Sequence, residues 1–370
     1  MPKLTPYALT FQGGLHLGTR GVDLAEARRH IPSDTLFSAI LTVWRQLGGD
    51  VQAFAAPFVA DPPDPPFLLT SAFPRVGRVR FYPMPADASR ILSPASMAGR
   101  GKAIRKVRYL SERLFRQAQQ GRPLDPFLFP EHPTEEPKGG ITLADGALWM
   151  SIEELDRLPE PLQRPEKRRH AIGSLPIIRE TRVPRVTVSR ITHQSEVFQA
   201  GQVRFEREVG LWFGVLWRRP EAPIGEDGPT YEDALERILY VMQHDGIGGE
   251  RSIGYGAFQL DPMEEVELQA ASKGSTSLLL SRYHPRPDEL PGALTADGAA
   301  YQIVAVDGWL HTWDAPAQRR RRVYMVTEGS LVAPPSFPAG DVVDVRPTIG
   351  HFPHPVYRYG LALAVGWGKG

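Results

Sequence analysis

Cysteine is absent from this 370-residue chain, and so are long apolar runs. Without cysteine the chain has neither disulfides nor thiolate metal sites, which favours a cytoplasmic protein. No segment reaches the roughly 20 consecutive apolar residues that a membrane-spanning helix needs, so we expect no membrane partner. Residues 1–7 also lack the apolar core of a secretory signal.

An excess of charge is lacking too, because the formal net charge is only +1. The distribution of charge is nevertheless uneven. Residues 75–116 contain eleven lysines and arginines against two acids, and residues 162–193 contain eight against two. Acids gather instead in residues 221–236 and 261–267. This polarity favours one anionic partner such as a nucleic acid, and two solvated loops are the alternative.

What the chain has in abundance is glycine, and five glycines fall within residues 246–256, the glycine loop. Glycine adopts left-handed conformations and lets a backbone approach another molecule closely. Successive exposed N–H groups form a concavity that suits a phosphate, to which Arg251 adds a charge-assisted bond. The spacing fits neither the dinucleotide fingerprint nor the P-loop. The loop is thus predicted to grip a phosphate backbone, with an ordinary turn as the alternative.

The order of predicted elements indicates two similar halves. An opening strand over residues 7–17 is followed by a helix for which Ser33 is the expected N-cap. A second long strand at residues 209–217 precedes a helix over 230–244, which Thr230 or a neighbour caps. Residues 194–201 are expected to form a hairpin tip. Each half thus begins with strand and helix and continues mainly in strands, which is compatible with two ferredoxin-like βαββαβ units in an α+β fold.

Five segments spread from one end of the chain to the other carry recognisable motifs. They are residues 15–18 with 31–40, residues 81–85 with 104–110, residues 186–193 leading to Phe198 and Phe205, the glycine loop, and residues 354–360. In this order they resemble the CRISPR RAMP superfamily, and in particular the fourth subunit of type III-A Csm effector complexes. The stretches 164–169 and 319–322 match no motif of that family.

The resemblance implies two ferredoxin-like (RRM-like) domains with a β-hairpin thumb and proline-rich insertions. We place an N-terminal RAMP domain at residues 1–160 with the basic insertion 75–116, the thumb at 161–205, and a C-terminal domain at 206–370. It also implies a non-catalytic role: holding the 5′ repeat-derived tag of a guide RNA, and contacting the large signalling subunit and a backbone RAMP subunit. No cofactor or metal is expected.

Single-stranded RNA requires charge for its phosphates, flat surfaces for its bases and donors for base edges or 2′-hydroxyls. The glycine loop meets the first need, and the basic insertion with Tyr109 meets the first two. The thumb is expected to place a wedge between bases, although a core position is the alternative for Phe198. The predicted RNA-contacting residues are Arg251, Ser252, Gly246, Gly248, Gly249, Gly254, Gly256, Arg105, Lys106, Arg108, Arg185, Arg190, His193, Phe198 and Ser33.

Catalysis is the rival hypothesis, because some RAMP relatives cleave RNA with a histidine base. A general base also needs a positioned partner and an acid for the leaving oxygen, and the sequence around His16 and His30 offers no clear pairing. We therefore predict no catalytic residue and no enzyme. A RAMP endoribonuclease that processes repeat RNA and the equivalent subunit of a type III-B complex remain the alternatives.

Overall fold

The structure, a computed structural model, describes residues 3–17, 29–132, 135–163, 173, 175–188, 195–310, 318–347 and 352–368. Its helices are α1 Ser33–Gln46, α2 Val51–Val59, α3 Pro94–Ile104, α4 Glu112–Gln119, α5 Glu160–Gln163, α6 Tyr231–Asp245 and α7 Gly292–Thr295. Its strands are β1 Lys3–Phe11, β2 Phe67–Leu69, β3 Phe73–Val76, β4 Val79–Pro83, β5 Tyr109–Ser111, β6 Gly140–Leu143, β7 Leu148–Ser151, β8 Ile178–Val188, β9 Ser195–Phe205, β10 Val209–Trp217, β11 Phe258–Pro262, β12 Val266–Glu267, β13 Ser277–Leu279, β14 Ile303–Val306, β15 Trp309–Leu310, β16 Gln318–Arg319, β17 Val323–Val326, β18 Leu331–Val332, β19 Val342–Asp344, β20 Tyr357–Tyr359 and β21 Ala364–Gly366.

A large mixed sheet dominates the described residues. Its order is β11-β1-β10-β3-β4-β5-β7-β6, with β12 paired to β1 and β2 paired to β10. The β5–β7 pair is parallel, whereas the other pairs of this sheet are antiparallel. Strands after residue 270 form smaller sheets of two or three strands. The predicted α+β class is confirmed.

Six elements of this sheet region form a βαββαβ unit. They follow the chain order β1-α1-β3-β10-α6-β11, and their strands lie side by side as β11-β1-β10-β3. In such a unit each helix connects two strands that lie on either side of a third strand, so that all four strands belong to one sheet. Strand β1 therefore lies between strands from the second half of the chain. The sheet runs across the division that we placed at residues 161–205.

The two long helices differ in how they begin. The hydroxyl of Thr230 accepts a hydrogen bond from the Asp233 amide at 3.1 Å, so α6 has the predicted threonine cap. The N-cap of α1 is Pro32, and Ser33 is the first helical residue. The prediction that Ser33 caps α1 is wrong because its amide and hydroxyl bond instead to neighbouring segments, namely to Ser71 Oγ at 2.9 Å and to the Arg282 amide at 3.0 Å.

A long hairpin is formed by β8 and β9, which pair from Ile178–Phe205 to Val188–Ser195. Residues 195–201 belong to strand β9, so the prediction of a hairpin tip at 194–201 is wrong. Strand β9 instead pairs with β8 along its whole length, down to its first residue Ser195. Arg185 lies directly opposite Phe198 in the register of this hairpin. Arg190 and His193 lie outside the described residues.

The largest apolar cluster of the described residues includes residues from Leu4 to Trp367, and two smaller clusters lie among residues 279–362 and 306–356. Strand β20 takes part in the largest cluster through Tyr359, whose ring is tilted by 34° against that of Phe37 and whose hydroxyl accepts a hydrogen bond from the Leu69 amide at 3.1 Å. Burial of such large aromatic rings stabilises the contact between the sheet and the C-terminal strands. Across the described ranges, none of the helices combines the length and apolar character that a bilayer crossing requires.

Candidate nucleic-acid interface

The glycine loop begins where α6 ends. The Gly246 amide donates to the Met242 carbonyl at 2.9 Å, and the φ of Gly246 is 75°, a left-handed value that glycine adopts at little cost. The Ile247 amide then donates to the Gly256 carbonyl at 3.1 Å. This bond brings the two ends of the loop together before β11 begins. The loop is therefore a closed turn with a fixed base.

The base of the loop packs on residues 13–16, just after β1. The Gly249 amide donates to the His16 carbonyl at 2.8 Å, and the Gly256 amide donates to the Gly14 carbonyl at 2.9 Å. A Cβ atom at Gly248 would lie 2.4 Å from the His16 carbonyl oxygen, which is closer than real Cβ contacts allow. Close backbone packing therefore explains these glycines without any ligand. Their contact with RNA stays a prediction.

The crest of the loop, residues 251–254, lies away from this packed base. Arg251, Ser252, Ile253 and Gly254 are exposed, and residues 251–253 form a single 3₁₀ turn. Glu250, which precedes the turn, has a left-handed φ of 59°. The amides of Arg251 and Ser252 donate to no atom of the described residues. An exposed guanidinium, a hydroxyl and two free amides thus meet in one turn, which is the donor set that a phosphate needs.

The β8–β9 hairpin starts beside this loop. Leu15 and Val203 exchange two backbone hydrogen bonds of 2.8 Å. In addition, His16 Nδ1 lies 2.5 Å from the Gly201 carbonyl oxygen. Residues 13–17 are therefore held between the glycine loop and the foot of the hairpin. The fold brings together two regions that are almost fifty residues apart and that we predicted separately as RNA contacts.

The basic insertion separates into internal and exposed cations. Arg80 is buried, and its Nε donates to Glu112 at 2.8 Å; Arg75 donates to Thr10 Oγ1 at 2.6 Å. Burial by itself raises the pKa of Glu112, but Arg80 and then Arg116 outweigh it and bring that pKa below its usual value. These arginines therefore bond to internal oxygen acceptors of the protein. Their count in the sequence overstates the charge available to a polyanion.

The exposed cations of this insertion are the ones that matter for an interface. Arg105, Lys106 and Arg108 are exposed at the end of α3 and the start of β5, and no acidic side chain of the described residues pairs with them. They line a cleft whose opposite wall comes from residues 302–328. The prediction that these three side chains face a partner is compatible with this position, and RNA contact remains to be measured.

The structure overturns one predicted contact and adds residues that the sequence did not reveal. Ser33 is completely buried, so its hydroxyl is not presented to RNA. The far wall of the cleft contributes Arg282, Gln302 and Glu328, which are far in sequence from the basic insertion. No local motif marks them, because only the tertiary fold brings them opposite Arg105. In the part of the chain described, no group of three or more His, Asp or Glu side chains is placed so that it could hold a metal ion.

Comparison with known families and proteins supplies an independent test. The family model of the CRISPR Csm4 C-terminal domain matches residues 272–367. "CRISPR system Cms protein Csm4" of Mycobacterium tuberculosis (strain ATCC 25618 / H37Rv) is 31% identical over 172 residues, covering 46% of this chain and 51% of that protein. The protein of the same name from Streptococcus thermophilus is 25% identical over 183 residues, covering 48% and 54%. The chain thus spans about half the length of the curated relatives it matches.

Two solved structures share the fold over nearly the whole chain. One is a Csm3-Csm4 subcomplex of the type III-A CRISPR-Cas interference complex, with a TM-score of 0.59, 16% identity, and coverage of 99% of this chain and 100% of that chain. The other is a Csm1-Csm4 cassette in complex with cA4, with a TM-score of 0.55, 18% identity, and coverage of 99% and 98%. The resemblance read from five motifs is confirmed, because residues 272–367 match the Csm4 C-terminal domain and the chain is similar to Csm4 proteins of CRISPR systems.

Proposed function

We propose that this chain is a non-catalytic RNA-binding subunit of a type III-A CRISPR (Csm) interference complex that acts in the cytoplasm. In this role it holds the single-stranded 5′ repeat-derived tag of the guide RNA. The observation that carries the proposal is the crest of the glycine loop, where Arg251, Ser252 and two free amides meet on a rigid base. A backbone phosphate accepts hydrogen bonds from this donor set without reading a base.

The surroundings of the crest supply the other needs of single-stranded RNA. The β8–β9 hairpin begins next to the loop, and we propose that it serves as the thumb that separates bases, with Phe198 and Arg185 at one level of its ladder. Arg105, Lys106 and Arg108 add a second group of exposed cations. Base stacking contributes about 1–3 kcal/mol per base, so a few contacts suffice for tight binding. A second ferredoxin-like domain, in the part of residues 206–370 that follows β11, is part of the same proposal.

The partners are proposed from the relatives. The similar solved structures are a Csm3-Csm4 subcomplex in one case and a Csm1-Csm4 cassette in the other. We propose that this chain likewise links a large Csm1-type signalling subunit to a Csm3-type backbone subunit. Co-expression with the host's own Csm1 and Csm3 homologues tests this link. Recovery of the chain with type III-B subunits instead would contradict the type III-A assignment.

The absence of catalysis is also part of the proposal. His16 contacts the Gly201 carbonyl through Nδ1, and His30 lies 3.2 Å from the Tyr109 hydroxyl and 3.7 Å from Glu328. Both rings thus have structural neighbours, and a general acid opposite either one is not evident among the described residues. A metal-free incubation with CRISPR repeat RNA decides the matter. Cleavage that His16→Ala or His30→Ala abolishes would favour the endoribonuclease alternative.

The direct test compares RNA binding by matched variants of the full chain. We expect Arg251→Ala to weaken binding of tag-bearing single-stranded RNA, and Arg237→Ala to leave it unchanged. Arg237 is a suitable control because it is also exposed, on α6, and has no acidic partner among the described residues. Equal affinity of both variants for the RNA would contradict the role given to the crest.

A further inference from the structure

A deep cleft separates the basic insertion from the C-terminal strands. Its volume is about 800 Å³, within the range of about 300–1,000 Å³ that is typical of small-molecule sites. One wall comes from residues 83–88 and 104–109, and the other from residues 302–304 and 327–328. The two walls are more than 190 residues apart in sequence. The cleft is therefore a product of the tertiary fold, and nothing in the proposed function uses its interior.

The floor of the cleft contains an arginine, Arg282, with one donor that is not used. Arg282 is 3% exposed, and its Nε has no hydrogen-bond partner among the described residues. Its nearest carboxylates, those of Asp34 and Glu328, each lie 3.7 Å from a guanidinium nitrogen, beyond hydrogen-bond distance. A buried donor without an acceptor carries a desolvation penalty of about 1–3 kcal/mol. An acceptor group of a ligand on this floor would remove that penalty.

Glu328 places an acceptor next to this donor. Burial by itself raises the pKa of Glu328, but Arg282, His30 and a hydrogen bond from Ser71 outweigh it and bring the pKa below its usual value. Glu328 is therefore an ionised acceptor beside the Arg282 donor. Nucleobase edges present donors and acceptors side by side, and such an edge is complementary to an arginine–carboxylate pair.

The sides of the cleft suit a flat ring, and its mouth suits an anion. Apolar or aromatic side chains cover the inner wall, and they are Phe73, Met84, Met97, Ile104, Val107 and Tyr109. The mouth carries the exposed side chains of Arg105, Lys106 and Arg108. Of the acids around the cleft, Glu180 already pairs with Arg29 at 2.8 Å, and Asp145 is a single exposed carboxylate against three exposed cations. Cations therefore dominate the entrance, whereas the interior is apolar down to its polar floor.

We propose that this cleft binds one nucleotide, with its base inside against the apolar wall and its phosphate at the mouth. The base edge meets Arg282 and Glu328, and the phosphate meets Arg105 and Arg108. If the proposed function holds, the nucleotide is one residue of the bound RNA strand, turned out of the strand. A free nucleotide has the same chemistry and is the other possible source. Aromatic and apolar walls accept any base, so the floor determines any preference among bases.

The first experiment measures binding of nucleoside 5′-monophosphates to the full chain by titration calorimetry at low salt. Ribose 5-phosphate and inorganic phosphate serve as probes without a base. We expect at least one nucleotide to bind about 10-fold more tightly than ribose 5-phosphate, because the base adds its stacking contribution. Equal binding of all phosphates would show an unspecific cationic surface and would overturn the proposal.

Three variants locate the binding within the cleft. Ala86 is exposed at the edge of the cleft, and its backbone amide donates a hydrogen bond to the Gly329 carbonyl. Any residue with a backbone N–H keeps this hydrogen bond, so Ala86→Trp fills the cleft from the surface. We expect Ala86→Trp to abolish nucleotide binding and Arg108→Ser to weaken it about 5-fold, as loss of one charge-assisted contact would. Lys102→Ser is the matched control, since Lys102 is exposed on the same segment but lies outside the cleft. Nucleotide binding that Ala86→Trp leaves unchanged would refute the location.

The second experiment separates the two sources and keeps this inference distinct from the proposed function. Each nucleotide of a tag-bearing RNA is replaced in turn by an abasic one, and affinity is measured for the wild type and Ala86→Trp. The RNA strand is the source of the nucleotide if abasic replacement at one position lowers the RNA affinity of the wild type about 10-fold and leaves that of Ala86→Trp unchanged. If no abasic replacement changes the RNA affinity while nucleoside monophosphates still bind, the ligand of the cleft is a free nucleotide. A flat scan without nucleotide binding overturns the cleft proposal, even where Arg251→Ala still weakens RNA binding.

Discussion

Replacement of Asp34 by alanine is expected to destabilise the whole fold. Asp34 lies in the first turn of α1 and is 1% exposed. Arg358 donates to one of its carboxylate oxygens at 2.6 Å, and Arg282 lies 3.7 Å from the other. A third guanidinium, that of Arg320, is close enough to interact with both Asp34 and Arg358. Burial and then the charge of Arg358 lower the pKa of Arg320 to about 10, whereas the charge of Asp34 raises it. Asp34 therefore balances the charge of two buried arginines and the half-buried Arg320 at the junction of α1 with the C-terminal strands.

The magnitude follows from this surplus of positive charge. Removal of one partner from a buried ion pair typically costs about 3–5 kcal/mol, because the other charge stays buried without compensation. With roughly 2 °C per kcal/mol for a chain of this size, Tm should fall by about 6–10 °C. Urea unfolding followed by tryptophan fluorescence gives the free energy of unfolding directly. The loss should appear as a lower midpoint at an unchanged slope.

The matched control is an exposed ion pair. Lys3 lies 3.8 Å from Glu267 across β1 and β12, and both side chains are about half exposed. Glu267→Ala should therefore change the free energy of unfolding by less than about 1 kcal/mol. If Asp34→Ala costs no more than Glu267→Ala, the buried charge cluster does not hold α1 to the C-terminal strands, and this account of the junction is refuted.

Two further predictions concern the glycine loop and pH. Gly254→Ala should cost only the left-handed strain of about 1–2 kcal/mol, because the space around an added Cβ is open to a distance of 4 Å among the described residues. Gly256→Ala should cost more, since its Cβ would meet the Ile247 carbonyl at 2.0 Å. Glu328 has a pKa below its ordinary 4.5, so its contribution is present above pH 4.5 and lost as pH falls through the folded pKa. Glu328→Gln should reduce the slope of the free energy of unfolding against pH in the acid range by up to about 1.4 kcal/mol per pH unit.

Chemical denaturation checks the glycine pair, and the same measurement repeated between about pH 3 and pH 7 checks the pH prediction. Equal losses for the two glycine variants would contradict the close packing of Gly256. An acid limb in Glu328→Gln as steep as that of the wild type would contradict the ionised state of Glu328.

Local elements are predictable from the sequence because their signals are local. The threonine cap and apolar stripe identify α6 to within one residue, and the run of β-forming residues identifies β10. The position of the glycine loop after α6 is likewise evident from the sequence. The packing of the glycine loop on residues 13–16 is not evident from the sequence, because that contact joins segments more than 230 residues apart. Sequence spacing carries no information about which backbone a glycine will approach.

The charge pattern shows the same limit at the candidate site. The count of arginines in residues 75–116 predicts one basic surface, but burial turns Arg75 and Arg80 inward, where oxygen acceptors compensate them. Of the exposed cations, Arg105, Lys106 and Arg108 share a cleft with Arg282 and Glu328. No sequence pattern connects those last two residues with the basic insertion. The prediction for Ser33 fails because an N-cap pattern does not specify whether the hydroxyl stays on the surface. Burial is decided by tertiary packing, which a single sequence does not show.

The most direct test of the central claim is the salt dependence of RNA affinity. For single strands, each phosphate contact contributes about 0.7 to the slope of log affinity against log salt. If the crest of the glycine loop holds a backbone phosphate, Arg251→Ala should lower both the affinity for tag-bearing RNA and this slope, by about 0.7, while Arg237→Ala keeps the wild-type slope. A wild-type slope and affinity in Arg251→Ala would contradict the account.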